Sequence, residues 1–169
     1  SSVDALVTIG CEQECDFVIG CGGGRAMDCS KAVAREMDVP LIVVPTVAGT
    51  NAAATISSGI EQDDVGRRHW YRGPDVIFCD TRVIVAAGPR YLASGMGDVL
   101  PFGAGFRIRR EMRMPGGAES GALGLTGAFP TAAAEAIGGL TYPLIMEHGK
   151  RAYDDTAMGM PTDAVNRVC

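Results

Sequence analysis

Histidine is nearly absent from this sequence of 169 residues, which holds only His69 and His148. None of its six cysteines, Cys11, Cys15, Cys21, Cys29, Cys79 and Cys169, stands in a Cys-x-x-Cys pair. A structural zinc site therefore has little support. The simpler reading is free thiols in a reducing cytosol, with Cys21 and Cys79 at or beside buried strands, behaving as small hydrophobes. No apolar run approaches the ~20 residues of a membrane span. The N-terminus lacks a basic start with an apolar core. The sequence reads as soluble and unexported, with no membrane partner. Positive charge is also scarce: the net charge is −5, and Arg107, Arg109, Arg110 and Arg113 form the one basic cluster, read as a solvated helix face. That balance argues against nucleic acid as a main partner. The Gly-x-Gly-x-x-Gly dinucleotide fingerprint and internal repeats are missing too.

Glycine is plentiful, and three adjacent glycines carry the first positive argument. Phe17-Val18-Ile19-Gly20 is an apolar run too short for a helix, and it leads into Gly22-Gly23-Gly24, which predicts a buried strand ending in a tight turn. Asp28 to Glu36 has helix-forming composition, with Met27, Val33 and Met37 supplying an apolar face. Pro40 stops that helix, and Leu41-Ile42-Val43-Val44 is a second strand before Pro45. Strand, helix and strand imply a parallel pair with a right-handed crossover. Residues without side chains let a diphosphate approach the main chain, and the N–H groups opening the next helix then point at the anion. The same glycines would equally serve a plain strand-to-helix turn. Pro45 to Asn51 adds a second turn of small residues and hydroxyls, and two adjacent strand ends with room and donors make a crevice.

The remaining chain is read by the same signals. Val3, Leu6 and Val7 predict a short helix over residues 1–9. Ile56 to Ile60 and Arg68 to Tyr71 read as the arms of a hairpin, with His69 a surface or packed residue that is assigned no metal. Asp75 to Asp80 reads as a buried strand closing the sheet. Pro89 opens a helix where its missing N–H costs nothing. Pro101, Gly103 and Gly105 are expected to kink or shorten that helix. Met114 to Gly117 marks a loop, and residues 118–127 are weakly periodic. Ala132, Ala136, Leu140, Leu144 and Ile145 predict a helical stripe ending at Gly149 as C-cap. Thr162-Asp163 begins a last helix. The fold class is α/β: a Rossmann-like parallel sheet portion over residues 1–86, followed by the start of an all-helical domain over 87–169.

Several motifs stand in a familiar order: Gly22-Gly23-Gly24-Arg25-Ala26-Met27-Asp28, Lys31-Ala32-Val33-Ala34, Val44-Pro45-Thr46, Asp75-Val76-Ile77 with Asp80-Thr81, and Gly95-Met96-Gly97-Asp98. In this the sequence resembles the iron-containing alcohol dehydrogenase superfamily, nearest its glycerol dehydrogenase branch. The resemblance implies that the chain is an internal slice of a longer cytoplasmic enzyme, a possible homo-oligomer in its full-length form. It implies NAD as cofactor, and zinc or iron polarising the oxygen of a small alcohol or polyol. Gly22, Gly23, Gly24, Arg25, Ala26, Met27 and Asp28 fall on the family's first cofactor-binding segment. Thr46, Val47, Ala48, Gly49 and Thr50 fall on the nicotinamide side, with Thr55 and Ser57 as further cofactor neighbours or ordinary strand residues. Arg25 stands where lysine is common. Asn51 stands where a substrate-binding aspartate is common, so it offers hydrogen bonds without charge. Asp98 matches one metal ligand. The two histidines that would complete the triad are not placed, since His148 matches neither ligand motif, and no catalytic residue is assigned. Asp28 has two compatible uses, bracing the glycine turn or opening the helix against its dipole.

Two other classes fit the same residues. One is a non-catalytic nucleotide-binding module derived from such an enzyme. The other is a phosphate-handling relative, which needs a larger basic set near its substrate than this sequence shows.

Overall fold

The computed structural model describes residues 2–62, 66–112 and 132–169, with side chains described for 2–60, 72–101, 132, 133 and 135–169. In chain order the elements are α1 (Ser2–Glu12), β1 (Val18–Gly22), α2 (Gly24–Met37), β2 (Leu41–Pro45), a short 3₁₀ helix (Asn51–Ala54), β3 (Ser57–Gln62), β4 (Gly66–Tyr71), β5 (Val76–Ile77), α3 (Thr81–Ala86), α4 (Pro89–Met112), α5 (Ala132–Ala157) and α6 (Asp163–Val168). The expected loop at Met114 to Gly117 and the weak pattern over 118–127 lie outside the described residues, as do the side chains of His69 and the arginine cluster.

Two apolar runs set the sheet. β1 and β2 pair in parallel, from Val18 opposite Leu41 to Gly22 opposite Pro45. β5 joins the other side of β2, also in parallel. The crossover helix α2 covers one face, where Met27 and Ala34 pack with Leu41, Val43 and Ala52. Val3 of α1 packs against Ala32 and Val33 on the outer side of α2. α2 lies so close to β1 that a Cβ on Gly20 would stand 2.6 Å from the Cβ of Ser30, with the Ser30 hydroxyl nearer still. β3 and β4 form the expected antiparallel hairpin.

The expectation of a buried third strand does not hold. β5 is a two-residue edge strand whose Val76 and Ile77 are 50% and 46% exposed. Among the described residues it is the outer strand, paired on one side only, and α2 packs on β1 and β2. Cys21 and Cys79 are likewise exposed, against expectation. Strand alternation turns Cys21 away from the α2 face, on which the adjacent Gly20 is buried. The Cys79 thiol is raised in pKa, by partial desolvation first and by Asp80 second.

The helical half departs further from its sequence pattern. α4 starts at Pro89 as expected, but the shortening at Pro101 does not occur, and the helix continues to Met112. An interior proline costs about 3 kcal/mol, and the packing of α4 along α5 offsets it. α5 runs past Gly149, which is buried in mid-helix and is not a cap. A Cβ on Gly149 would stand 3.0 Å from Met96 Sδ, so this glycine marks where α5 meets α4. The terminating glycine is Gly159, at φ 68°, with Met160 N–H donating back to Asp155 O. The predicted stripe holds only in part: Leu144 and Ile145 are half-buried but Ala132, Ala136 and Leu140 are exposed, while Gly138, Gly149, Ala152, Asp155 and Thr156 are buried. In an Ala/Gly-rich helix, periodicity is too weak to select the buried side.

Asp155 fixes the corner between α5 and α6. Its carboxylate accepts from Thr162 Oγ1 at 2.6 Å and from Arg151 Nε at 3.3 Å. Beside it, Val165 packs with Val85, Leu92 and Ala152. The Thr162 hydroxyl, then Arg151, hold the carboxyl below the usual aspartate range against the opposing effect of burial.

Two outcomes follow from this packing. Gly20→Val overpacks the α2 contact and lowers unfolding free energy by about 1–3 kcal/mol, read by urea denaturation. A carboxyl whose pKa falls on folding contributes stability above its unfolded pKa and loses it as pH drops through the folded value. Acidification below about pH 4 therefore destabilises the chain, and Asp155→Asn shows a shallower acid limb in thermal melts. An acid limb identical to that of the parent contradicts this assignment.

Candidate functional site

The register of β1 and β2 brings two turns out of the sheet side by side at its carboxyl edge. Thr46 N–H donates to Gly22 O at 3.0 Å, zipping the two exits together. Gly22 has φ 147°, which a side chain would strain, and a Cβ there would stand 2.8 Å from that of Ala26. Gly23 then occupies the N-cap of α2 in an extended conformation, with no side chain capping the helix. The opening amides and the positive end of the helix dipole are thus left to an external acceptor. Gly23 and Gly24 face the second turn: Val47 Cγ2 and Thr50 Oγ1 each lie 3.2 Å from where their Cβ atoms would be. Arg25 and Ala26 are exposed at the mouth, whereas the Met27 side chain points into the core.

Helix α2 begins earlier than its composition suggests, so Asp28 lies beyond its opening residues, not at its start. Its carboxylate neither caps the turn nor opens the helix, but faces Lys31 Nζ at 3.4 Å.

Lys31 is the residue that sequence reasoning missed. Its side chain has no solvent exposure. The ammonium donates to Ala52 O at 2.6 Å, Thr55 Oγ1 at 3.0 Å and Ser57 O at 3.2 Å. Burial lowers its pKa, and Asp28 opposes that shift. A buried charge is tolerable only with this degree of compensation. One signal was legible: Met27, Lys31 and Ala34 stand at i, i+4 and i+7, so the lysine lies on the apolar face of its own helix.

The second turn is held from the other side by α4. A Cβ on Gly95 would stand 3.0 Å from the carbonyl carbon of Ala48, so the helix backbone touches the turn directly. Gly49 is buried against Tyr91. Asn51 N–H donates to Asp98 Oδ2 at 2.9 Å. Thr50 caps the 3₁₀ helix through Ala52 N at 3.3 Å and is itself exposed. Thr55 is partly buried by its bond to Lys31, and Ser57 is exposed. The structure therefore gathers Gly22, Gly23, Gly24, Thr46, Val47 and Thr50 around one crevice, with Asn51 and Asp98 linked at its far side.

That arrangement suits a diphosphate, because backbone donors converge where side chains are missing. A metal is a different matter. Among the described residues, no three His, Cys, Asp or Glu side chains lie close enough to hold an ion. Asp98 is a single carboxylate with one oxygen already engaged, and a divalent catalytic site needs about three protein ligands. The described residues do not fit a complete metal site.

Comparison with known proteins bears on the fold and the family. A family model described as iron-containing alcohol dehydrogenase matches residues 1–81. The chain is 33% identical to a glycerol dehydrogenase of Escherichia coli, over 99% of this chain and 44% of that protein. It superposes on a probable glycerol dehydrogenase from Sinorhizobium meliloti with TM-score 0.84 at 25% identity, covering 99% of this chain and 46% of the other. On glycerol dehydrogenase from Schizosaccharomyces pombe the TM-score is 0.82 at 28% identity, covering 98% and 41%. The chain thus spans less than half the length of each of these proteins. With the motif order, the match over residues 1–81, the glycerol dehydrogenase relatives and the superpositions in accord, the chain belongs to the iron-containing alcohol dehydrogenase family.

Proposed function

We propose that the full-length protein oxidises a small alcohol or polyol with NAD, and that this chain supplies the seat for the cofactor's diphosphate and the turn beside its nicotinamide. The observation that carries this reading is the uncapped N-terminus of α2 behind Gly22, Gly23 and Gly24. In the overall reaction a hydride leaves the carbinol carbon for the nicotinamide ring and the hydroxyl proton passes to solvent, giving a carbonyl compound and NADH. The α2 amides and Arg25 neutralise the diphosphate. Thr46 to Thr50, with Thr55 and Ser57, border the nicotinamide side. Asn51 hydrogen-bonds the substrate hydroxyl through its amide. Asp98 would contribute one ligand to zinc or iron in the complete protein. Residues 1–86 then form the nucleotide-binding part and 87–169 the first part of the helical domain, in a cytoplasmic enzyme. No described helix is long and apolar enough to cross a membrane.

One observation favours a second reading, a nucleotide-binding module without turnover: the Asp98 carboxylate already accepts the Asn51 N–H. Assay of the full-length protein separates the two. NADH formation, followed by its absorbance, with glycerol or another small diol supports the oxidoreductase, and NAD binding without turnover supports the module.

Gly23→Asp tests the diphosphate seat itself. Gly23 has φ −87°, open to any L-residue, and aspartate is a favoured N-cap. The variant should fold with stability within about 1 kcal/mol of the parent, because the new carboxylate caps the free amides while Val47 Cγ2, 3.2 Å from the added Cβ, gives way by a few tenths of an ångström. The same carboxylate repels the diphosphate, and like charges in contact cost several kcal/mol, so NAD affinity falls by about tenfold or more. Calorimetric titration with unchanged NAD affinity would exclude this crevice as the cofactor site.

A further inference from the structure

We propose that Lys31 is a positioning residue, whose ammonium sets the segment from Asn51 to Ser57 so that its contacts meet the nicotinamide half of the cofactor and the substrate. This deepens the dinucleotide reading above and rests on it. The motif containing Lys31 lies on α2, yet its three shortest bonds reach across 21 to 26 residues of chain to Ala52 O, Thr55 Oγ1 and Ser57 O. Those acceptors follow Asn51 directly and include the Thr55 side chain. Among the described residues the segment's other polar ties lie at its two ends or are local: Asn51 N–H to Asp98 from α4, Arg72 N–H to Ile56 O at 2.7 Å where Ser57 enters the hairpin opposite Tyr71, and bonds of 3.3 Å from Ala52 N to Thr50 and from Thr55 to Ala52 O or Ser57 O. Asp28, 3.4 Å from the same ammonium, stands just beyond the first glycine turn. One fully buried cation thus ties the helix that seats the diphosphate to the turn that must face the reacting ring. Three protons meeting three acceptors in fixed directions give an orientation that apolar packing alone does not specify.

A residue that only supports the fold would weaken every ligand together, whereas a positioning residue affects only ligands that reach its turn. The test is therefore Lys31→Met in this whole chain, titrated by amide NMR with inorganic pyrophosphate and with NAD, alongside hydrogen exchange. Pyrophosphate affinity is expected to stay within about twofold, while NAD affinity falls about fivefold or more. Exchange of the 51–57 amides should rise about tenfold relative to β2. Unchanged NAD affinity with unchanged exchange overturns the proposal, and so does an equal loss for both ligands. If Lys31→Met does not fold, Thr55→Val removes one acceptor and keeps the ammonium. Faster exchange confined to 51–57 then supports the proposal, and unchanged exchange overturns it. Should the parent chain bind neither ligand, the crevice reading fails, and exchange in Lys31→Met still decides whether Lys31 holds the turn.

Discussion

The ammonium of Lys31 sits where water cannot reach it, and the geometry of the crevice follows from how that charge is compensated. Burying a cation costs several kcal/mol unless its protons are matched. Here the matching groups are two backbone carbonyls, a hydroxyl and a carboxylate from separate parts of the chain. The segment after the second strand therefore has one favourable position, beside the opening of α2. Met27 and Ala34, one turn either side of Lys31, pack on Leu41, Val43 and Ala52 and close the surroundings that keep it dry.

Close backbone approach is the second constraint. α2 reaches the sheet through Gly20 and Ser30, α4 reaches the second turn through Gly95 and Ala48, and α5 reaches α4 through Gly149 and Met96. The first two leave no room for a larger residue and the third little, so the layers stand in close relation. Together they bring Asp98 within hydrogen-bonding distance of Asn51 N–H, although 47 residues separate them. The turn after β2 and the helix bearing the expected metal ligand are thereby continuous through a hydrogen bond and direct contacts.

Legibility in the sequence was uneven, for identifiable reasons. The strands, the crossover helix, the hairpin and the glycine turn were readable because short β-branched runs and Gly-Gly-Gly carry strong local preferences. The burial of β5 was misread because an apolar hexapeptide does not reveal which strand is outermost. The sequence predicts a kinked or short α4 at Pro101, since proline's local cost is visible in sequence and the compensating face of α5 is not. Gly149 was taken for a cap because a glycine near the end of a helical pattern signals one, whereas its actual use is contact with Met96.

By itself the sequence determined the α/β class, the glycine turn between the first strand and its helix, and the family, since these depend on local backbone preference and on several short motifs in a fixed order. Only the tertiary structure decided that Lys31 is buried, that Asp28 serves it and not the turn, and that Asp98 meets Asn51. Those outcomes depend on which distant groups converge on one point. A single chain of letters shows that a residue is charged or apolar, but the energy of a buried charge is set by neighbours drawn from far along the chain.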